Sequence, residues 1–131
     1  MIYLDSSALL KLVRAESHTA ELTNWLADQP GVPLVSSALA EVEVLRACRR
    51  IDERMLDRGR AVLAVLDLVP LDEGVLGTAA ELPEPGLRSL DALHLASALG
   101  LDPDLEAFVA YDARLVAAAE AAGLAVAQPG V

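Results

Sequence analysis

Cysteine, aromatic residues, lysine and long apolar runs are all scarce in this chain. The single cysteine, Cys48, has no partner for an internal disulfide, and with two histidines there is no Cys/His spacing suited to zinc. That usage fits a reducing compartment, and Cys48 reads as a small core residue. Aromatics make up 3% of 131 residues, so a core must be built mainly from Ala, Leu and Val. No run approaches the ~20 apolar residues that span a bilayer, and no basic-then-apolar leader opens the sequence. A soluble, cytoplasmic protein with no membrane partner is expected. Hydrophobic residues reach 54%, which argues against disorder. The length suits a single domain over residues 1–131.

What is present is an alternation of strand and helix signals. Ile2–Leu4, Val32–Val35, Leu68–Leu71, Phe108–Tyr111 and Ala125–Ala127 read as strands, the third placed at an edge by Pro70. Ser6–Val13, His18–Asp28, a segment from Ser36 and Ser37 as caps to about Arg50, Arg54–Leu66, Glu73–Leu82, Ser89–Leu99 and Ala113–Ala122 read as helices. Gly123 sits where the last helix would stop. Such alternation predicts an α/β fold with a mostly parallel sheet and right-handed crossovers.

The formal net charge is −10, which taken alone argues against a nucleic-acid partner. The distribution qualifies this. Six of the ten basic residues, Arg46, Arg49, Arg50, Arg54, Arg58 and Arg60, fall in one stretch with Asp52, Glu53 and Asp57. The stretch is either a solvated, ion-paired helical face or an anion-facing patch on an acidic protein.

Two strand ends repeat one motif. IYLD leads into the first helix and FVAYD into the last, so Asp5 and Asp112 would leave a parallel sheet from its carboxyl edge. Open α/β sheets bind ligands at that edge, where the strand order reverses. The plainer reading makes each Asp a helix N-cap, worth about 0.5–2 kcal/mol. Asp91, in RSLDALHLASAL, falls in the first turn of its helix with Ser89 as the expected cap. Glu43, in SSALAEVEVLRACRR, shares a helical face with Arg46 and Arg50. Helical periodicity does not decide between Glu43 and Glu41. Carboxylates gathered in one crevice repel, by about 3 kcal/mol for a pair 5 Å apart at an effective dielectric near 20. Their pKa values must rise or a cation must hold them. With no Cys or His partners the cation expected is hard, Mg²⁺ or Mn²⁺, and such sites handle phosphate.

The stretches YLDSSALLKL, SSALAEVEVLRACRR, LRSLDALHLASAL and VAYDARLVAAAEAAGLAVAQPG, in this order, resemble PIN-domain ribonucleases, and within them the VapC-like toxins of type II toxin–antitoxin pairs. The resemblance covers nearly the whole chain. It implies a PIN-like three-layer fold with a central, mostly parallel sheet of four or five strands. It selects Glu43 over Glu41 and maps an acidic catalytic quartet onto Asp5, Glu43, Asp91 and Asp112. Asp5, Asp91 and Asp112 would hold Mg²⁺, with Mn²⁺ as its substitute, and Glu43 would complete the cluster or orient the attacking water. The resemblance further implies an RNA substrate with a single-stranded loop, a cognate antitoxin protein that blocks the site, and a homodimer.

Supporting positions are Ser7, placed to bond Asp5 or a water; Arg46, placed to steady Glu43 or meet phosphate; and Arg114, placed to meet phosphate. His94 reads as a buried hydrogen-bonding residue rather than a general base. Two other readings compete. A phosphatase of the haloacid-dehalogenase type also begins with strand and Asp, but needs a second Asp where Ser7 stands and a later lysine. The one lysine here is Lys11. An acidic α/β module binding a basic partner would catalyse nothing.

Overall fold

A computed structural model describes residues 1–131. Ile2, Tyr3 and Leu4 form β1 (Ile2–Leu4) and are wholly buried, as expected of a central parallel strand covered on both faces. β2 (Leu34–Ser37), β3 (Asp67–Val69), β4 (Ala107–Val109) and β5 (Val126–Ala127) join it in the order β3-β2-β1-β4-β5. Every pairing is parallel. The chain builds outward from β1 to β3 and then crosses to β4 on the other side. The strand order therefore reverses between β1 and β4, where Tyr3 pairs with Phe108 and Leu4 with Val109.

Seven helices cover the sheet: α1 (Ser6–Val13), α2 (Thr19–Ala27), α3 (Leu39–Ile51), α4 (Leu56–Ala64), α5 (Glu73–Glu81), α6 (Ser89–Leu99) and α7 (Ala113–Ala121). Alternation along the strands divides the core in two. Ile2, Leu4 and Val109 pack with Leu9 of α1, Leu22 of α2, Val44 and Cys48 of α3 and Val62 of α4. Tyr3, Val35 and Phe108 pack with Leu95 of α6 and Leu115 of α7. The expected three-layer α/β architecture is present, and its sheet has five strands.

Local boundaries differ where tertiary pairing outweighs local preference. β2 is shifted two residues beyond Val32–Val35, so Ser36 and Ser37 are buried strand residues opposite Leu68 and Val69 rather than helix caps. The Ser36 hydroxyl donates to the Leu4 carbonyl at 2.6 Å. Ala38 takes the cap position without a side-chain bond, although the Ser37 hydroxyl still accepts from the Leu39 amide at 3.1 Å. Ser89 is likewise the first residue of α6 and not its cap; Arg88 precedes it. The segment expected as one helix from Arg54 to Leu66 begins as a 3-10 turn over Glu53–Met55, capped by Asp52, before α4. β3 lies at the edge, with Pro70 just beyond it.

Gly59 of α4 faces α3 closely. A Cβ there would meet Cys48 Sγ at 3.0 Å and Val44 Cγ1 at 3.5 Å. Gly59→Val is expected to destabilise the fold by about 1–3 kcal/mol through overpacking. The check is a lower urea midpoint with an unchanged m value.

Candidate active site

The β1 and β4 strand ends and the N-termini of three helices bring the acids to one edge of the sheet. Asp5 follows β1, caps α1 and is 3% exposed. Its Oδ1 accepts from the Ser7 hydroxyl at 2.7 Å and the Ala8 amide at 2.9 Å. Its backbone amide extends the ladder to the Val109 carbonyl at 3.1 Å, which ties it to β4. Asp112 caps α7, with Oδ1 accepting from the Arg114 amide at 3.1 Å and the Leu115 amide at 3.0 Å. The capping role and a role in a site are thus compatible, because each cap engages one carboxylate oxygen.

Asp91 lies half-buried in the first turn of α6, and its carboxylate makes no hydrogen bond within the chain. Glu43 reaches in from α3. Its Oε1 accepts from the Ser6 hydroxyl and lies 2.6 Å from His94 Nε2. Among buried side-chain polar atoms only Glu84 Oε2 lacks a partner. The uncommitted oxygens of Asp5, Glu43 and Asp91 therefore open onto solvent.

Neighbouring carboxylates act on Asp5 and on Asp91. Burial pushes the Asp5 carboxyl up to about 6; the bonds from Ser7 and Ala8 and the nearby His94 oppose this, while Asp91 adds to it. Burial also raises Asp91, followed by the charge of Asp112, with Glu43 contributing in the same direction and His94 and Arg88 against it. Burial acts upward on Glu43 too. The hydrogen bonds from His94 and Ser6 together outweigh it and hold this carboxyl below its ordinary range. The arrangement thus pairs one carboxylate kept ionised by donors with two that resist ionisation.

Chemically the set fits a hard divalent ion: carboxylate oxygens only, with unused oxygens on a solvent-facing edge and raised pKa values that a cation would relieve. No three of these groups stand close enough together to hold an ion by direct bonds alone. Magnesium ordinarily retains several waters and takes only one or two protein carboxylates directly, so it does not require three direct bonds from the chain.

The supporting positions divide. Ser7 bonds Asp5, and its oxygen also accepts from the Tyr111 amide at 3.1 Å. Arg46 is exposed and makes no ion pair with Glu43; His94 and Ser6 hold that carboxylate instead. The correction has a physical basis: a solvent-exposed i,i+3 pair contributes a few tenths of a kcal/mol, less than hydrogen bonds made inside a partly dry crevice. The Arg114 side chain is exposed and unpaired, beside a hollow of about 460 Å³ shared with Glu84 and Leu87. Glu41 lies apart, against Leu45, Arg60 and Leu68. Lys11, needed by the phosphatase reading, is engaged by Glu16 at 3.3 Å and the Ser17 carbonyl at 2.9 Å. Sequence reasoning missed Ser6, Tyr3 and Arg88. Ser6 stands next to Asp5, but its partners lie 37 and 88 residues away, beyond any local pattern.

The PIN domain family matches residues 2–121. Ribonuclease VapC35 of Mycobacterium tuberculosis is 48% identical over 99% of this chain and 98% of its own length. Among solved structures, the Mycobacterium tuberculosis VapC20 toxin, which cleaves the sarcin–ricin loop, superimposes with a TM-score of 0.75 at 18% identity, covering 98% of this chain and all of the other. VapBC2 from Rickettsia felis, solved bound to a promoter DNA fragment, gives a TM-score of 0.76 at 14% identity over 98% of this chain and 99% of that one. The fold, the full-length similarity and the acid-lined edge at the strand reversal lead to one assignment: the chain belongs to the PIN-domain family, among the VapC ribonucleases.

Proposed function

We propose that this protein is the toxin of a toxin–antitoxin pair, a Mg²⁺-dependent endoribonuclease whose catalytic residues are Asp5, Glu43, Asp91 and Asp112. Full-length similarity to VapC ribonucleases supports the activity. The observation that carries the site assignment is the convergence on Asp91 at the β1–β4 edge: the charges of Asp112 and Glu43 act on it, and its own charge acts on Asp5.

Asp5, Asp91 and Asp112 would hold the ion, Mg²⁺ or in its place Mn²⁺. Bound there, a divalent ion supplies positive charge to phosphodiester oxygens and lowers the pKa of a water. The protein's own residues prepare the edge. Ser7 and Ala8 fix Asp5 through one oxygen, and the first turn of α7 fixes Asp112 in the same way. Glu43 stays ionised and orients the attacking water through Oε2. Arg88 moderates the charge at Asp91.

The acidic surface repels RNA, so approach depends on the α3 arginines. Arg54 pairs with Asp52, Arg60 reaches Asp57 at 4.0 Å and Arg58 binds the Leu12 carbonyl. Arg46, Arg49 and Arg50 are exposed without an ion pair and supply the anion-facing charge on the helix that carries Glu43. The substrate is an RNA with a single-stranded loop, the antitoxin blocks the acid edge with a basic segment, and the protein acts as a single-domain homodimer in the cytoplasm. No helix is long and apolar enough to cross a membrane.

The test is cleavage of total RNA by the purified protein, followed by mapping of the ends. Cleavage should stop with chelator and return with Mg²⁺ or Mn²⁺. Calorimetric titration with Mn²⁺ should show saturable binding that Asp5→Asn plus Asp112→Asn removes. Undiminished cleavage in chelator defeats the metal assignment.

A further inference from the structure

A buried chain of polar side chains lies behind the acid edge, and the reaction as described does not use its inner members. Tyr3 is fully buried and His94 is 1% exposed. The Tyr3 hydroxyl lies 2.8 Å from His94 Nδ1, and His94 Nε2 lies 2.6 Å from Glu43 Oε1 and 2.8 Å from the Ser6 hydroxyl. The network thus runs from the central strand through α6 to α3.

The proton positions follow from the partners available. A buried hydroxyl left without an acceptor is destabilising, so the Tyr3 proton needs one. The neighbouring Ser36 and Ser97 hydroxyls spend their protons on the Leu4 and Leu93 carbonyls, so neither donates to Tyr3. The Tyr3 hydroxyl meets His94 Nδ1 at 2.8 Å, and Glu43 on the far side of the ring decides which of the two carries the shared proton. An ordinary phenol titrates at about 10, so at pH 8 Tyr3 keeps its proton. A proton on Nδ1 alone would set the Nε2 lone pair against a carboxylate oxygen at 2.6 Å, so the proton of the neutral imidazole sits on Nε2, facing Glu43. Nδ1 is then an acceptor, and Tyr3 donates to it. The phenol ring is itself held, stacked on Phe108 at 5.3 Å and edge-on to His94 at 5.9 Å.

We propose that His94 is a positioning residue: Tyr3 locks it in the Nε2–H tautomer, and it anchors Glu43 through Oε1 so that Oε2 faces the crevice. The inference rests on the ribonuclease reading for its consequence and on the hydrogen-bond network for its substance. Ser6, donating to the same Oε1, completes a two-point restraint that leaves the second oxygen uncommitted. Glu43 would otherwise be a flexible side chain on a surface helix, with several rotamers to lose before reaction.

Nitrogen-15 NMR of the imidazole rings in metal-free protein at pH 8 tests the lock without substrate. With two histidines in the chain, His18→Gln assigns the spectrum. His94 should show a proton on Nε2 and an accepting Nδ1; a proton on Nδ1 overturns the proposal. In cleavage assays Tyr3→Phe should lower kcat by about tenfold with KM changed by less than about twofold, as expected for losing a restraint on a reacting group. His94→Leu should lower kcat further, and His94→Gln, which keeps an N–H donor, should recover part of the loss. Folded Tyr3→Phe and His94→Leu variants as active as the wild type overturn it. A wild-type protein that cleaves no RNA defeats the ribonuclease reading instead, and leaves the tautomer measurement to decide this one.

Discussion

Asp5→Asn is expected to abolish RNA cleavage and, in the same molecule, to stabilise the metal-free protein at pH 8. The loss of activity should be on the order of a hundredfold or more, since a residue that helps hold the divalent ion contributes several kcal/mol to the transition state. The gain in stability follows from burial. The folded Asp5 carboxyl titrates at about 6 against an ordinary 3.8. Between these values the folded state binds more protons than the unfolded one. The stabilising contribution of this group is therefore fully present below the ordinary value and is lost as pH rises through about 6. The difference corresponds to an upper bound of about 3 kcal/mol at pH 8.

Asparagine removes the charge and keeps the cap, because its Oδ1 can still accept from Ala8 and Ser7 and Asn is as good an N-cap as Asp. Urea denaturation in chelator at pH 8 should place the variant above the wild type by about 1–3 kcal/mol. The gap should shrink toward pH 4, and saturating Mg²⁺ should close it by stabilising the wild type alone. A variant less stable than the wild type at pH 8 without metal contradicts this account of Asp5.

Phe108→Ala should be the most destabilising single change in the second half of the core. Phe108 is fully buried in β4, between β1 and β5, and is the chain's one phenylalanine. Its surroundings offer little to fill the space. The buried α7 residues near it include Ala118 and Ala119, and α6 contributes Ala98. A Phe→Ala truncation in such a site costs about 3–5 kcal/mol, against a total of about 5–15 kcal/mol for a typical domain. The damage should also reach the site, because Tyr3 loses the ring it stacks on. The urea midpoint should fall accordingly, and cleavage per folded molecule should fall with it. Phe108→Leu should cost much less. A loss below about 1 kcal/mol for Phe108→Ala would mean the core collapses around the cavity, against the packing argument.

Much of the architecture was legible because its signals are local. The apolar triplet Ile2–Leu4 and the strand–Asp–helix motif at both ends mark strands, caps and helix starts within a few residues. Asp5 and Asp112 could be found this way because a cap and a strand end coincide at each. Glu43 could not: periodicity left Glu41 equally open, and a family resemblance separated them. Ser36 and Ser37 misled for the opposite reason. Hydroxyl residues before a helix read as caps, but here pairing with Leu68 and Val69 of β3 draws them into the sheet.

Periods of two and 3.6 residues, capping chemistry and the placing of Gly and Pro are properties of neighbouring residues, so the chain alone set the class of fold, most of its elements and the acids at two strand ends. The tertiary structure decided that β1 lies beside β4, that Glu43 is held by Ser6 and His94 and not by Arg46, and that Tyr3 stands behind them. The side-chain contacts join residues 37 to 91 positions apart, and at such separations only the packing of whole helices on the sheet determines which side chains meet.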